Sequence, residues 1–197
     1  MTKLTENNAE IKNAIKLWVD NVVLGLNLCP FAHDIWKEGR WEIAVSNAED
    51  NGQRFRDALV AVESFVKNKK ERGTMLYVFP EAKENFIKFY NFSAMVEEEI
   101  RQLGLQDQVQ IVTFHPEFRF EGEKKESRGN YVNRSPYPLL HFLWTEEVTR
   151  VIEKKGEKIG EKVAHDNNQK LLSLSDSEFE DMVLKFIRSS WQVKNND

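Results

Sequence analysis

The chain has 197 residues, of which 41% are hydrophobic and 30% charged, and its formal net charge is −4. That composition suits one globular domain with a real apolar core. The mildly acidic balance gives no bulk attraction to nucleic acid or to an anionic membrane surface, and no apolar run is long enough to cross a bilayer. A single cysteine cannot form an internal disulfide, which fits a reducing compartment, and the first residues lack the apolar segment of a secretory signal. A cytoplasmic location is the expectation. The domain is expected to span 9–191, with 1–8 and 192–197 as flexible termini.

In chain order, Ile11, Ala14, Ile15, Trp18, Val19, Val22, Val23 and Leu26 recur at helical spacing and predict a helix over 9–26. Pro30 then opens a short helix over 30–38, which would put Cys29 at its N-cap. A thiol there feels the helix N-terminus, which favours the thiolate; the alternative is a small buried hydrophobe. His33 is read as solvent-facing. Trp41–Ser46 reads as a strand with Trp41, Ile43 and Val45 on one face. A helix over 52–69 follows, its charged end being Lys67 to Arg72 and its stop Gly73.

Thr74–Phe79 is a nearly continuous apolar run, the pattern of a strand buried on both faces in a parallel sheet. A helix over 82–103 is expected to break near Asn91-Phe92-Ser93. Val109–Phe114 is the third strand. Helices between strands imply parallel pairing through right-handed crossovers, and ligands in such sheets gather beyond the strand C-termini. His115 stands at such an end, either as a site residue or as a satisfied structural histidine.

Residues 117–131 form a long polar loop, read as a lid leading into the segment from Asn133 to His141. Ser135-Pro136 reads as a helix start, because Ser caps well and Pro is tolerated at the first helical position. Arg134 beside free N–H groups would seat a phosphate, sulfate or carboxylate, with Asn130, Asn133 and Tyr137 adding neutral donors. Alternatively, Ser135 only caps and Arg134 only pairs with a carboxylate. Helices are expected over 145–155 and 157–172. Ser175 with Glu178 resembles a capping box before a final helix whose Phe179, Met182, Val183, Phe186 and Ile187 point inward. The fold class is therefore α/β: a small, mainly parallel sheet of three to four strands flanked by helices, with a helical C-terminal segment.

Three phrases together resemble a widespread family of unknown function: Gly25-Leu-Asn-Leu-Cys-Pro-Phe-Ala32, Phe114-His-Pro116 followed by Phe118 and Phe120, and Asn130-Tyr-Val-Asn-Arg-Ser-Pro-Tyr-Pro-Leu-Leu-His141. The resemblance covers about residues 18 to 160. It implies a cytoplasmic single domain of about this size and carries no established activity. The positions it marks are Cys29, His115, Asn130, Asn133, Arg134, Ser135, Tyr137 and His141, whereas His33 and Arg119 fall outside its phrases.

Three functions follow from these residues. The first is an enzyme in which Cys29 attacks, His115 or His141 acts as base, and Arg134 with the Ser135 helix start holds an anionic substrate group. The second is a non-catalytic module that binds a small anionic molecule. The third is a Cys29, His115 and His141 metal site, whose ligand types suit zinc but whose spacings match no zinc motif. No cofactor is expected, because the glycine-rich dinucleotide and P-loop patterns are missing, as is the Gly-x-Ser-x-Gly elbow. Neither a nucleic-acid nor a membrane partner is expected, and the oligomeric state is not legible.

Overall fold

The computed structural model describes residues 2–30, 32–68, 73–82, 84–155 and 159–188. Along the chain come α1 (Thr2–Trp18), a π-helical turn (Val19–Leu24), α2 (Ala32–Lys37), β1 (Trp41–Val45), α3 (Asn51–Lys67), β2 (Thr74–Val78), α4 (Phe86–Gln102) and β3 (Val109–Phe114). A 3-10 turn (Arg128–Val132) precedes β4 (Leu139–Trp144), α5 (Thr145–Lys155) and α6 (Ile159–Ser173). The last elements are α7 (Asp176–Phe179), a second π turn (Glu180–Leu184) and α8 (Lys185–Ile187). The expected tail 192–197 and most of the basic run after Lys67 lie outside the described residues.

One four-stranded sheet in the order β1-β2-β4-β3 organises the chain. β1 and β2 are parallel, whereas β4 pairs antiparallel with both β2 and β3. The α/β class and the four strands agree with the sequence reading, but a mainly parallel sheet does not. The three strands read from sequence do run in one direction. What separates β2 from β3 is β4, in the stretch expected to be a helix after Ser135.

Its sequence explains the strand. Pro138 biases Tyr137 away from helical geometry, and the six residues from Leu139 to Trp144, apolar but for His141, have the length of a buried strand rather than of a helix. Leu140, Phe142 and Trp144 face one side of the sheet, and Leu139 faces the other. Being central, β4 satisfies its backbone on both edges; beyond the ladder, Phe79 N–H donates to the Pro138 carbonyl at 2.9 Å.

Each face of the sheet carries its own core. On one, α1, the first π turn, α6, the second π turn and α8 bury Ile15, Trp18, Val22, Leu171, Val183 and Ile187 against Ile43, Leu76, Val78 and Leu139. On the other, Val62 and Phe65 of α3 and Phe89, Phe92 and Val96 of α4 pack on Met75, Tyr77, Leu140, Phe142 and Trp144. The result is a three-layer sandwich. Two further expectations are corrected. Helix α1 starts at Thr2 rather than near residue 9, and α4 is unbroken through Asn91 to Ser93. Ser93 is not a helix start: it lies buried with its Oγ 2.5 Å from Thr113 Oγ1 on β3. The capping box is present, with Glu178 N–H donating to Ser175 Oγ at 3.2 Å and Ser175 N–H to Glu178 Oε2 at 2.8 Å.

Candidate functional site

A cavity of about 70 Å³ opens on the first face of the sheet, between the first π turn, α2 and the strands β2, β3 and β4. Cys29, Thr74 and His141 are among its lining residues; Trp18, Val19, Val23, Ala32, Ile35, Trp36, Leu76, Phe114 and Leu143 supply an apolar wall. Cys29 and His141 are 112 positions apart, so only the fold brings them to one hollow.

The route of the chain past Cys29 is set by the end of the π turn. Gly25 N–H reaches the Asp20 carbonyl at 3.2 Å, one residue further back than an α-helix would allow. A Cβ at Gly25 would lie 2.2 Å from the Asn21 carbonyl oxygen, so this bend needs glycine. Asn27 then takes a left-handed φ of 49°, a conformation Asn tolerates better than most residues. Helix α6 holds the strand of chain that follows: Lys170 Nζ donates to the Leu26 carbonyl at 2.6 Å and Asn167 Nδ2 to the Leu28 carbonyl at 2.7 Å. Helix α2 begins only at Ala32, whose N–H donates to the Cys29 carbonyl at 3.3 Å. Cys29 is therefore not the N-cap, because it lies two positions short of that place. The helix-terminus argument for its thiolate does not apply.

His141 projects from β4 into the cavity wall. Its Nε2 lies 2.6 Å from Thr74 Oγ1, and that hydroxyl donates to the Phe142 carbonyl at 2.9 Å. A hydroxyl has one proton, so making both bonds requires Nε2–H on the imidazole. The other nitrogen, Nδ1, then holds a lone pair and has no hydrogen-bond partner among the described residues. Burial lowers the His141 pKa from 6.5 to about 4, so the ring is neutral at pH 7. Trp18 packs its ring against this wall; it is 2% exposed, and among the described residues its indole Nε1 has no hydrogen-bond partner. Among the described residues, the cavity wall thus combines a thiol, a hydroxyl and a neutral imidazole with apolar groups, and none of its side chains is cationic.

His115 is elsewhere. It follows Phe114, which faces the cavity, and points to the opposite face, against Phe86 and Phe89 of α4. Its Nδ1 accepts from Glu117 N–H at 3.0 Å, which makes Nε2 the protonated nitrogen; Nε2 donates to the Glu84 carbonyl at 3.3 Å. The side chain is fully buried. Burial first, and the nearby Arg134 charge last, push its pKa down to about 4, against the raising effect of Glu84. The Glu84 carboxylate is held in turn by Arg54, at 2.5 Å. Cys29 and His141 line the cavity and His115 does not, and among the described residues no group of three or more His, Cys, Asp and Glu is placed to hold a metal ion.

The segment from Asn130 to Tyr137 organises the loop rather than the cavity. Asn130, fully buried, donates to the Lys124 carbonyl at 2.7 Å and accepts from Phe120 N–H at 3.0 Å. Arg134 donates from Nε to the Phe118 carbonyl at 3.0 Å and from Nη2 to the Lys125 carbonyl at 2.7 Å, and its guanidinium lies over the Tyr131 ring. Asn133 accepts from His115 N–H at 3.2 Å through its carbonyl. Ser135 donates to the Tyr137 carbonyl at 2.6 Å, and both residues are buried. No helix starts at Ser135, so the row of N–H groups expected to seat an anion is absent there. The expected lid is tied down instead, at Phe118, Phe120, Lys124 and Lys125, by Asn130 and Arg134.

His33 is exposed, as expected, and so is His165. Sequence reading missed Trp18 and Thr74 as wall residues. Trp18 sits on the apolar stripe of α1 and was counted as core, and nothing in a stripe marks an unpaired indole N–H. Thr74 carried a signal: it is the polar residue in an otherwise apolar buried strand.

A three-layer α/β domain with a four-stranded mixed sheet and a thiol-and-imidazole cavity is thus what fold and geometry define. The chain belongs to the family described as protein of unknown function, DUF1415, whose model matches residues 10–181. No curated protein and no solved structure matches it. Among the described residues, no helix is long and apolar enough to cross a membrane.

Proposed function

We propose that this protein is a small-molecule enzyme in which Cys29 is the nucleophile and His141 the proton carrier, acting on an uncharged substrate in the apolar cavity. The observation that carries the reading is that Cys29 and His141, remote in sequence, line one hollow. The sequence reading favoured an anionic substrate and allowed His115 as base. Neither is kept in the proposal: Arg134 is occupied with loop carbonyls, no cationic side chain lines the cavity among the described residues, and both nitrogens of His115 are already bonded.

In the proposed step the Cys29 S–H proton passes to His141 Nδ1 as sulfur bonds to an electrophilic carbon. The bond from that carbon to its leaving group breaks, and the leaving group departs with the proton from the imidazolium. Burial makes that imidazolium unfavourable, so His141 holds the proton only in transit. For an acyl substrate, water then cleaves the carbon–sulfur bond and the thiol is restored.

Alkylation of Cys29 tests this. Iodoacetamide and iodoacetate differ in charge, and an apolar wall penalises the anion by upwards of 1.4 kcal/mol, a factor of about ten. The rate ratio of the neutral to the anionic reagent is expected to exceed that of the unfolded chain by about this factor, and His141→Asn to slow iodoacetamide by about tenfold or more. Equal ratios in folded and unfolded protein, with no effect of His141→Asn, would remove the catalytic reading and leave a small-molecule binding module.

A further inference from the structure

We infer that the protein carries a second ligand site, a groove between the start of α4 and residues 118–123 that takes a small molecule through a methylated ammonium group. This goes beyond the proposed function, because the groove and the Cys29 cavity share no lining residue.

The lining is an arc of aromatic rings. Tyr90 and Phe86 have centroids 5.9 Å apart, Phe86 and Phe118 4.7 Å, and Phe118 and Phe120 4.8 Å. Successive planes are inclined by 52°, 55° and 77°, so the rings do not stack into a slab. The two end rings are open to water: Tyr90 is 53% and Phe120 38% exposed, and Ile87 in the same groove is 55% exposed. Apolar residues on a protein surface normally occur singly, and a group of three large ones marks a binding surface. The groove measures about 630 Å³, within the range of roughly 300–1,000 Å³ of small-molecule sites.

The exposed rings are held from below by buried polar groups. Arg134 Nε donates to the Phe118 carbonyl at 3.0 Å, and Asn130 Oδ1 accepts from Phe120 N–H at 3.0 Å. A tight turn follows, closed by Glu123 N–H donating to the Phe120 carbonyl at 3.1 Å. Gly122 is its third residue, with a left-handed φ of 77°. The turn brings Glu121 and Glu123 into the lining with Phe120. Phe118 and Phe120, singled out by their place after Phe114-His-Pro116, have no part in the Cys29 cavity and find one here.

Charge selects the occupant. Aromatic faces are negative and attract cations. Among the described residues the lining holds two carboxylates, Glu121 and Glu123, against one guanidinium, Arg119, which leaves one net negative charge. Lys125, in the neighbouring hollow, is paired with Glu117 at 3.8 Å. An anion would meet like charge and ring faces, and a neutral apolar molecule would leave the carboxylates unused. A methylated ammonium answers both, because its methyl groups cover the rings and carry the positive charge to them.

Choline and the neutral alcohol in which carbon replaces its nitrogen serve as probes, since they match in shape and differ in charge. Binding to the full chain is followed through the backbone amides of residues 118–123 in proton–nitrogen NMR spectra. Choline is expected to shift these signals to saturation, and the neutral alcohol to bind about fivefold or more weakly. Tyr90→Ala and Phe120→Ala remove exposed rings and should each weaken choline about two- to fivefold. Glu121→Gln combined with Glu123→Gln should weaken choline and leave the neutral alcohol unchanged. Signals that ignore choline would overturn the inference. So would equal binding of the two probes, which would mark a merely apolar groove. Both decisive outcomes are read on wild-type protein, and neither depends on whether Cys29 reacts.

Discussion

Replacing His115 with glutamine isolates the thermodynamic consequence of a histidine that the fold holds neutral. The side chain is sealed, its Nδ1 accepts from the Glu117 N–H, and its Nε2 donates to the Glu84 carbonyl. Protonating Nδ1 would set two donors against each other in an apolar surrounding. The folded pKa accordingly falls to about 4 from 6.5. The sign follows from proton counting: between these values the unfolded chain binds a proton at this residue and the folded chain does not. Stability from His115 is therefore full above pH 6.5 and is lost as pH falls toward 4. The slope in that window is about 1.4 kcal/mol per pH unit, so going from pH 7 to pH 5 removes about 2 kcal/mol through this residue. Urea unfolding of wild type and His115→Gln at both pH values measures it. The variant is less stable at each pH because it loses packing and hydrogen bonds. The decisive quantity is the drop between pH 7 and pH 5, which should be about 2 kcal/mol smaller in the variant. Equal drops would show that His115 titrates normally in the folded protein, and the account of its burial would be wrong.

Two further substitutions test the scaffold. Arg134→Ala removes the charged donor of two loop carbonyls, and it should cost about 3 kcal/mol of unfolding free energy and open residues 118–127 to proteolysis; Arg134→Lys, lacking the planar fork, should restore little. An alanine variant as stable as wild type would mark Arg134 as kept for binding rather than for the loop. Gly25→Ala places a methyl group on the Asn21 carbonyl, where the gap is 2.2 Å, and should cost about 1–3 kcal/mol by overpacking. An unchanged melting temperature would mean the π turn relaxes freely.

Much of the fold was legible because its signals are local. Trp41, Ile43 and Val45 alternate as one strand face should, β2 is buried along its whole length, and Ser175 with Glu178 forms the box its spacing announces. The segment after Ser135 was misread because a six-residue run that is apolar but for His141 satisfies helix and strand alike, and a serine–proline pair favours a helix start on its own evidence. Short range could not supply what decided it, the two open strand edges of β2 and β3 that Leu139–Trp144 fills. The same correction reassigned the site. Once β4 is a strand, its alternation turns His141 toward the face where Cys29 lies, while His115, one residue past Phe114, turns away.

The sequence by itself determined which residues are chemically able: one thiol, two histidines in distinctive settings, an arginine among polar neighbours, and enough apolar periodicity to bury them in an α/β domain. Only the tertiary structure decided which of them share a space. Strand alternation has a period of two, so a single step along β3 or β4 sends a side chain to the opposite layer of the sandwich. Pairing order, which depends on contacts between distant segments, placed His141 with Cys29 and Trp18, and left His115 and Arg134 to hold the loop.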